Sequence, residues 1–288
     1  VLVHRDLQPD YVRAKNLSTF VQLHYHSIVI PGEGTDLAFA HLPQVTHTVP
    51  WLVCNADELP DTAVVRRRLN LAANLEDSNS EDSSSGDLSS GDLSSGDSNS
   101  EDSSSGDSSL APVILVCAAG QPQELAFFGE FTAQVMRAYP QAIVRCIAAS
   151  CPPGCPAALW WHYYPALEIF SIADVVISAA GYNITYECAA LGIPLVSFAF
   201  PRLYDRQVRR AQRQSYWVTN SVDAIAQIQV LLNQRTLQRN LQRNSLISRQ
   251  FPIYWNGAIS AATQIHQHYS SFRQTRSNQE VQIERMTR

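Results

Sequence analysis

From residue 112 onward, short continuously apolar runs alternate with longer stretches whose apolar residues recur at helical spacing. PVILVCAAG (112–120) reads as a strand buried on both faces. A helix is predicted over 124–139, a strand in AIVRCIAA (142–149), a short helix in ALEIFSIA (166–173) and a strand in DVVIS (174–178). A helix over 183–191 is stopped by Gly192 and Pro194, and PLVSFAF (194–200) is the next strand. A helix over 204–214 and a strand over 216–219 follow. Ser221 is expected to cap a helix reaching 232, and further helical stretches occupy 235–249 and 254–268. The final helix is amphipathic and aromatic, and is expected to pack back on the first part of the chain. The polar tail, 269–288, is expected to fray. Such alternation predicts a doubly wound α/β domain over 110–268, with ligands bound where strand carboxyl ends enter loops.

The first 75 residues carry less signal. VLV reads as the end of a buried strand, HSIVIPGE (26–33) as a strand ending in a turn, and VTHTVPWLV (45–53) as a short strand. A brief helix over 60–71 holds Arg66, Arg67 and Arg68. HRDLQPD (4–10) begins like the H-R-D-L-x-x-x-N loop of protein kinases. Tyr11 stands where the metal-binding Asn belongs, and no DFG or APE follows, so kinase chemistry is excluded.

SNSEDSSSGD occurs at 78–87 and again, letter for letter, at 98–107. Ser, Gly and Asp dominate and aromatics are absent, so 76–109 is expected to be a disordered insertion, either a spacer or a phosphorylated interaction segment. It carries ten acids and no base. Without it, 16 acids face 21 bases, a mildly basic remainder that suits an anionic ligand or membrane surface. Nothing in the pattern calls for nucleic acid. Cys54, Cys117, Cys146 and Cys188 sit singly in apolar patterns, as core residues of a cytosolic protein do. Cys151 and Cys155, in CPPGC, suit half a zinc site or a forced turn; with no second ligand pair at the right spacing, the turn is expected. There is no visible signal peptide, and the longest apolar run, 110–120, is too short to span a bilayer.

The chemistry concentrates in ADVVISAAGYNITYECAALGIP (173–194). A strand ends at Ser178, small residues turn the chain, and a helix begins near Asn183. Outward-pointing N–H groups and the positive end of the helix dipole make an anion site, to which Thr185 can add a hydroxyl. Glu187 can accept from ribose hydroxyls, although glutamate near a helix start also serves ordinary dipole compensation. One strand along, FPRLYDRQVRRA (200–211) brings Asp205 and Gln207 to the same sheet edge. Arg206, Arg209, Arg210 and Arg213 at helical spacing read as a mostly solvated basic face.

These two segments resemble the donor half of GT-B glycosyltransferases, and most closely the family 28 group, which adds N-acetylglucosamine to lipid-linked muramyl peptides. The shared pattern is met by Ala173, Asp174, Ile177, Gly181, Thr185, Glu187, Gly192 and Pro194, then Asp205 and Gln207, and the resemblance spans 113–268. It implies a GT-B-like chain, with one Rossmann-like domain and the remnant of a second: 1–75 would end an acceptor domain and supply the linker. It implies a UDP-sugar donor, with the diphosphate held by Gly120, Gly181, Asn183 and Thr185, the ribose by Glu187, and the sugar by Asp205 and Gln207. Tyr164, Pro165, Ala166 and Leu167 would line the base. No metal or other cofactor is implied. The catalytic base would belong to the acceptor domain, on the same or a partner chain, with a lipid-linked acceptor among the candidates and a cytoplasmic or inner-membrane-face location. Arg5 and Asp6 would lie near the cleft, as acceptor contacts or a structural salt bridge. Two departures stand out: only Gly120 is present where the family has two glycines, and Arg210 stands where an Asn often follows. A partner-dependent or non-catalytic nucleotide-sugar-binding subunit and a UDP-sugar epimerase are the alternatives.

Overall fold

A computed structural model describes residues 1–4, 7–32, 37–69, 71, 111–243 and 256–286. Arg5, Asp6 and the repeat insertion lie outside the described residues, as does the stretch 244–255.

The first unit is a three-stranded parallel sheet in the order β1 (Leu2–Val3), β2 (Ile28–Pro31), β3 (Val45–Thr48). Helices α1 (Pro9–Ala14) and α2 (Leu17–His24), which the sequence reading missed, connect β1 to β2. Their signal is weak because both are short. Val12 and Val21 pack with Ile28, Ile30, Phe39 and Leu42 in a small core. Next comes α3 (Thr62–Arg68), whose N-cap Asp61 accepts from Ala63 N at 2.7 Å. Val65 of α3, with Leu52 and Leu71, packs into the core of the second unit rather than the first.

The second unit contains β4 (Val113–Cys117), α4 (Pro122–Ala138), β5 (Ile143–Ile147), β6 (Trp160–Trp161), α5 (Leu167–Phe170), β7 (Val175–Ala179), α6 (Tyr182–Leu191), β8 (Leu195–Phe198), α7 (Gln207–Gln214), β9 (Tyr216–Trp217) and α8 (Ser221–Arg243). Its six strands are parallel, ordered β6-β5-β4-β7-β8-β9. Alternate residues of β4 face opposite sides. Val113 and Leu115 join α3, α5 and α6, whereas Ile114 and Val116 join Phe128 and Phe131 of α4 and Ile228 of α8. Helices therefore cover both faces, as the continuous apolar strands require. The order reverses between β4 and β7, and a crevice opens there at the strands' carboxyl ends.

Several local expectations need correction. Asn220, not Ser221, caps α8, its Oδ1 accepting from Asp223 N at 2.9 Å. The helix expected from 235 is the continuation of α8 to Arg243. The tail expected to fray is helical: α9 spans Ala258–Met286, a stretch without Gly or Pro. The start of α9 does pack back on the earlier chain. Asn256 Oδ1 accepts from Leu52 N at 3.0 Å, and its amide donates to the carbonyls of Leu52 and Cys54. The helix expected over 204–214 begins only at Gln207, because its Oε1 accepts from Phe200 N at 3.2 Å and closes the intervening residues into a loop.

CPPGC makes the expected turn: Cys155 N donates to Pro152 O at 3.0 Å, and Gly154 takes a φ of 78°. Gly129 of α4 lies directly beneath it, so that a Cβ there would collide with the Pro153 carbonyl. Gly129→Ala should therefore lower stability by about 1–3 kcal/mol in urea unfolding, since neither backbone can yield without repacking.

Candidate functional site

The crevice at the β4–β7 reversal is a cleft of about 620 Å³. Its floor is the carboxyl edge of the sheet, at Cys117, Ser178 and Ala179. Ser178 Oγ donates to Cys117 O at 2.7 Å, tying the two strands where they part. One wall is the loop 118–120 and the opposite wall is the start of α6, with Gly181, Asn183 and Ile184. His162, Tyr163, Tyr164, Pro165 and Ala166 close one end, while Arg202 and Gln207 close another.

Helix α6 starts at Gly181, whose backbone is extended (φ −67°, ψ 157°) and which offers no side chain to cap the first N–H groups. The space beside Gly181 is open; a Cβ there would meet only Ile184 Cγ2, at 3.8 Å. No acidic residue stands in the first turn of α6, so the positive end of the helix is not offset from within. At the far end Gly192, with φ 63°, ends the helix in the left-handed conformation.

Glu187 lies in the second turn and faces the cleft, 9% exposed. Burial pushes its carboxyl up to about 7. Its depth along α6 removes the dipole-compensation reading. Gln207 lines the cleft, with its carbonyl occupied by Phe200 N.

Three expected contacts are not in the cleft. Thr185 is fully buried and its hydroxyl donates back to Gly181 O at 2.7 Å, a bond within the helix. Leu167 is buried in the core beneath the loop, whereas its neighbours Tyr164 to Ala166 do line the cleft. Asp205 lines a neighbouring cavity instead of the cleft. Arg210, one turn along, donates to Asp205 Oδ1 at 2.8 Å and to Ala180 O at 3.0 Å. Gly120 is at the rim with φ 126°, but the space over it is taken by the carboxylate of Glu124.

Sequence reading missed Glu124 and Arg202, and it gave Arg210 no role in holding the site. Glu124 is buried in the first turn of α4 and is bound by both terminal nitrogens of Arg202, from the loop after β8. That hydrogen-bonded carboxylate holds the Arg202 guanidinium above its usual range. Arg206 and Arg210, expected on a solvated face, are buried. Helical spacing alone cannot reveal that the loop after β8 and α6 cover one side of α7. Asp205 and Arg210 line a second cavity, of about 520 Å³, with Leu2, His4, Leu7 and Phe39. His4 is buried against Phe39, ring centroids 4.4 Å apart, and its Nε2 has no hydrogen-bond partner among the described residues. Burial, with Arg206 nearby, pushes it down to about 4, so it is neutral at pH 7.

The fold and cleft define a doubly wound α/β protein, with strand order 3-2-1-4-5-6 in the second unit and a helix start without a side-chain cap at the reversal point. No protein-family model matches the chain, and no curated protein does. Among solved structures, the chain is similar to the glycosyltransferase of kitacinnamycin, at 13% identity and TM-score 0.42, over 89% of this chain and 62% of that one. It is similar to CalG4, the calicheamicin glycosyltransferase, at 14% identity and TM-score 0.44, over 90% and 57%. A third is the spinosyn forosaminyltransferase SpnP, at 12% identity and TM-score 0.39, over 79% and 55%. The chain thus spans 55–62% of the length of these three. No helix among the described residues is long and apolar enough to cross a membrane.

Proposed function

We propose that the chain binds a nucleotide-sugar donor and serves as the donor half of a glycosyltransferase. The observation that carries this is the opening of α6: an uncapped helix start with open space at Gly181, and Glu187 buried in the same cleft a turn and a half away. A diphosphate at Gly181 and Asn183 would face helix N–H groups, which stabilise the charge that develops as the nucleoside diphosphate leaves. The ribose would donate to Glu187, and the base would lie against Tyr163, Tyr164, Pro165 and Ala166. Gln207 is the sugar contact, while Asp205 acts through Arg210 to brace the loop at Ala180. An acceptor hydroxyl, giving its proton to a base of the acceptor domain, would attack the anomeric carbon with inversion as the bond to the nucleoside diphosphate breaks.

The finer reading is uridine as the base and N-acetylglucosamine as the sugar, in an enzyme of family 28 type working in the cytoplasm. It rests on the motif positions alone. The test is the thermal midpoint with UDP, UDP-N-acetylglucosamine, UDP-glucose and GDP-mannose. A ligand that binds only the native state raises the midpoint, by an amount set by its concentration over Kd. Gly181→Ala sharpens the test. Its midpoint without ligand should equal that of the wild type, because the added Cβ meets nothing closer than 3.8 Å. Its UDP affinity should fall about tenfold or more, because the methyl occupies the ligand's approach to the backbone. Unchanged UDP affinity would remove the diphosphate from this helix start.

A further inference from the structure

We infer that Arg202 is the cation that grips the donor's diphosphate, and that Glu124 fills the phosphate position at the first loop with the protein's own carboxylate. The inference rests on the donor-site reading and specifies how that site recognises its anion.

At the β4–α4 turn, the helix start that would accept a ligand phosphate already holds an anion. The buried Glu124 carboxylate lies over Gly120, so close that a Cβ on Gly120 would overlap Oε2. A ligand phosphate placed there would meet this negative charge at contact distance. The turn also offers little else, since Pro122 stands at the first helical positions without an N–H and Glu124 N already donates to Gln121 O at 2.9 Å. Among the described residues that line the cleft, the start of α6 is the helix start left open to an anion.

Arg202 reaches across the sheet edge from the loop after β8 to the same spot. Its Nη2 would stand 3.3 Å from a Cβ on Gly120, and the side chain, 23% exposed, lines the cleft. The two-point grip of Glu124 fixes the plane of the guanidinium and leaves its outer edge for a second anion. A guanidinium shared between a protein carboxylate and a ligand phosphate replaces the second glycine's backbone contacts, which this loop lacks. Glu124 is therefore a positioning residue, and Arg202 is the binding residue.

The test compares UDP with uridine, by calorimetry, on the wild type, Arg202→Gln and Glu124→Gln. The ratio of the two affinities isolates what the diphosphate adds. Arg202→Gln should reduce that ratio roughly 10- to 100-fold, the range of a charge-assisted hydrogen bond, with uridine affinity kept within about twofold. Glu124→Gln should lower the ratio severalfold, because an amide accepts from one guanidinium nitrogen only and no longer fixes its plane. Should Arg202→Gln fail to fold, competition of inorganic pyrophosphate against UDP on the wild type and on Arg202→Lys replaces it: Lys keeps the charge without the fork and should weaken pyrophosphate severalfold. A ratio unmoved by either Arg202 variant, in a protein that binds UDP, overturns this assignment alone. A wild type that binds neither uridine nor UDP overturns the donor site and this assignment together.

Discussion

Uridine binding is expected to strengthen about tenfold per pH unit from pH 5 to near 7 and to level off above, and Glu187→Gln should abolish that dependence. The cause is the environment of Glu187. Nine-tenths of it is shielded from water, and desolvation lifts its carboxyl from 4.5 to about 7. On the proposed donor reading, the ribose hydroxyls would donate to Glu187, and only an ionised carboxylate would accept from both, so affinity is expected to follow the ionised fraction. Uridine is the right probe because it carries no phosphate to titrate in this window. At pH 8, Glu187→Ala should weaken uridine about 10- to 100-fold, the cost of losing hydrogen bonds to a charged group. The same group sets a stability trend in the unliganded protein. Its folded pKa lies above its unfolded one. Its favourable contribution is therefore complete below pH 4.5 and is lost as pH rises through about 7, a change of roughly 3 kcal/mol. Wild type should lose stability relative to Glu187→Gln across that interval, measured by urea unfolding at each pH. A flat uridine profile would remove Glu187 from the ribose.

Asp174→Ala should cost about 3 kcal/mol or more while leaving UDP affinity in the folded protein unchanged. Asp174 precedes β7 and is 1% exposed. Its Oδ2 accepts from Val113 N at 2.8 Å, and its own N–H donates to Val113 O at 2.8 Å. The pair locks the first residue of β4 to the start of β7, the two strands that part to make the cleft. Arg235 Nε of α8 faces the other carboxylate oxygen at 3.6 Å. Alanine leaves a buried N–H without its acceptor and removes the carboxylate from Arg235. Asparagine keeps an acceptor and should cost clearly less. Equal losses for Ala and Asn would shift the weight from the hydrogen bond to the charge.

Asp174 also shows what a motif does and does not reveal. The doubly wound order was legible because the strands are continuously apolar and the helices are not, and the turn that enters the cleft because small residues stand between Ser178 and Tyr182. The motif could not separate residues that meet a ligand from residues that hold the loop. Asp174 and Thr185 are turned to the backbone, and Asp205 is held by Arg210, whereas Gly181 and Glu187 face the cleft. Glu124 and Arg202 were illegible for a different reason. They lie 78 positions apart and meet only because β4 and β8 end at one sheet edge, which local periodicity does not encode. The two-residue strand β6 and the short helices α1 and α2 are below the length at which a period can be read.

Helix α6 is anchored at both ends of its chemistry. Tyr182 and Tyr186 send their hydroxyls out of the second unit to the carbonyls of Pro31 and Gly32, at 3.0 and 2.9 Å, where β2 ends in the first. The helix whose start opens on the cleft is thus also the crossbar between the two sheets. Any swing of one sheet against the other must either break these bonds or carry α6 with it. Gripping a ligand and aligning the two halves are then one mechanical act, with the hinge placed elsewhere than at this crossbar.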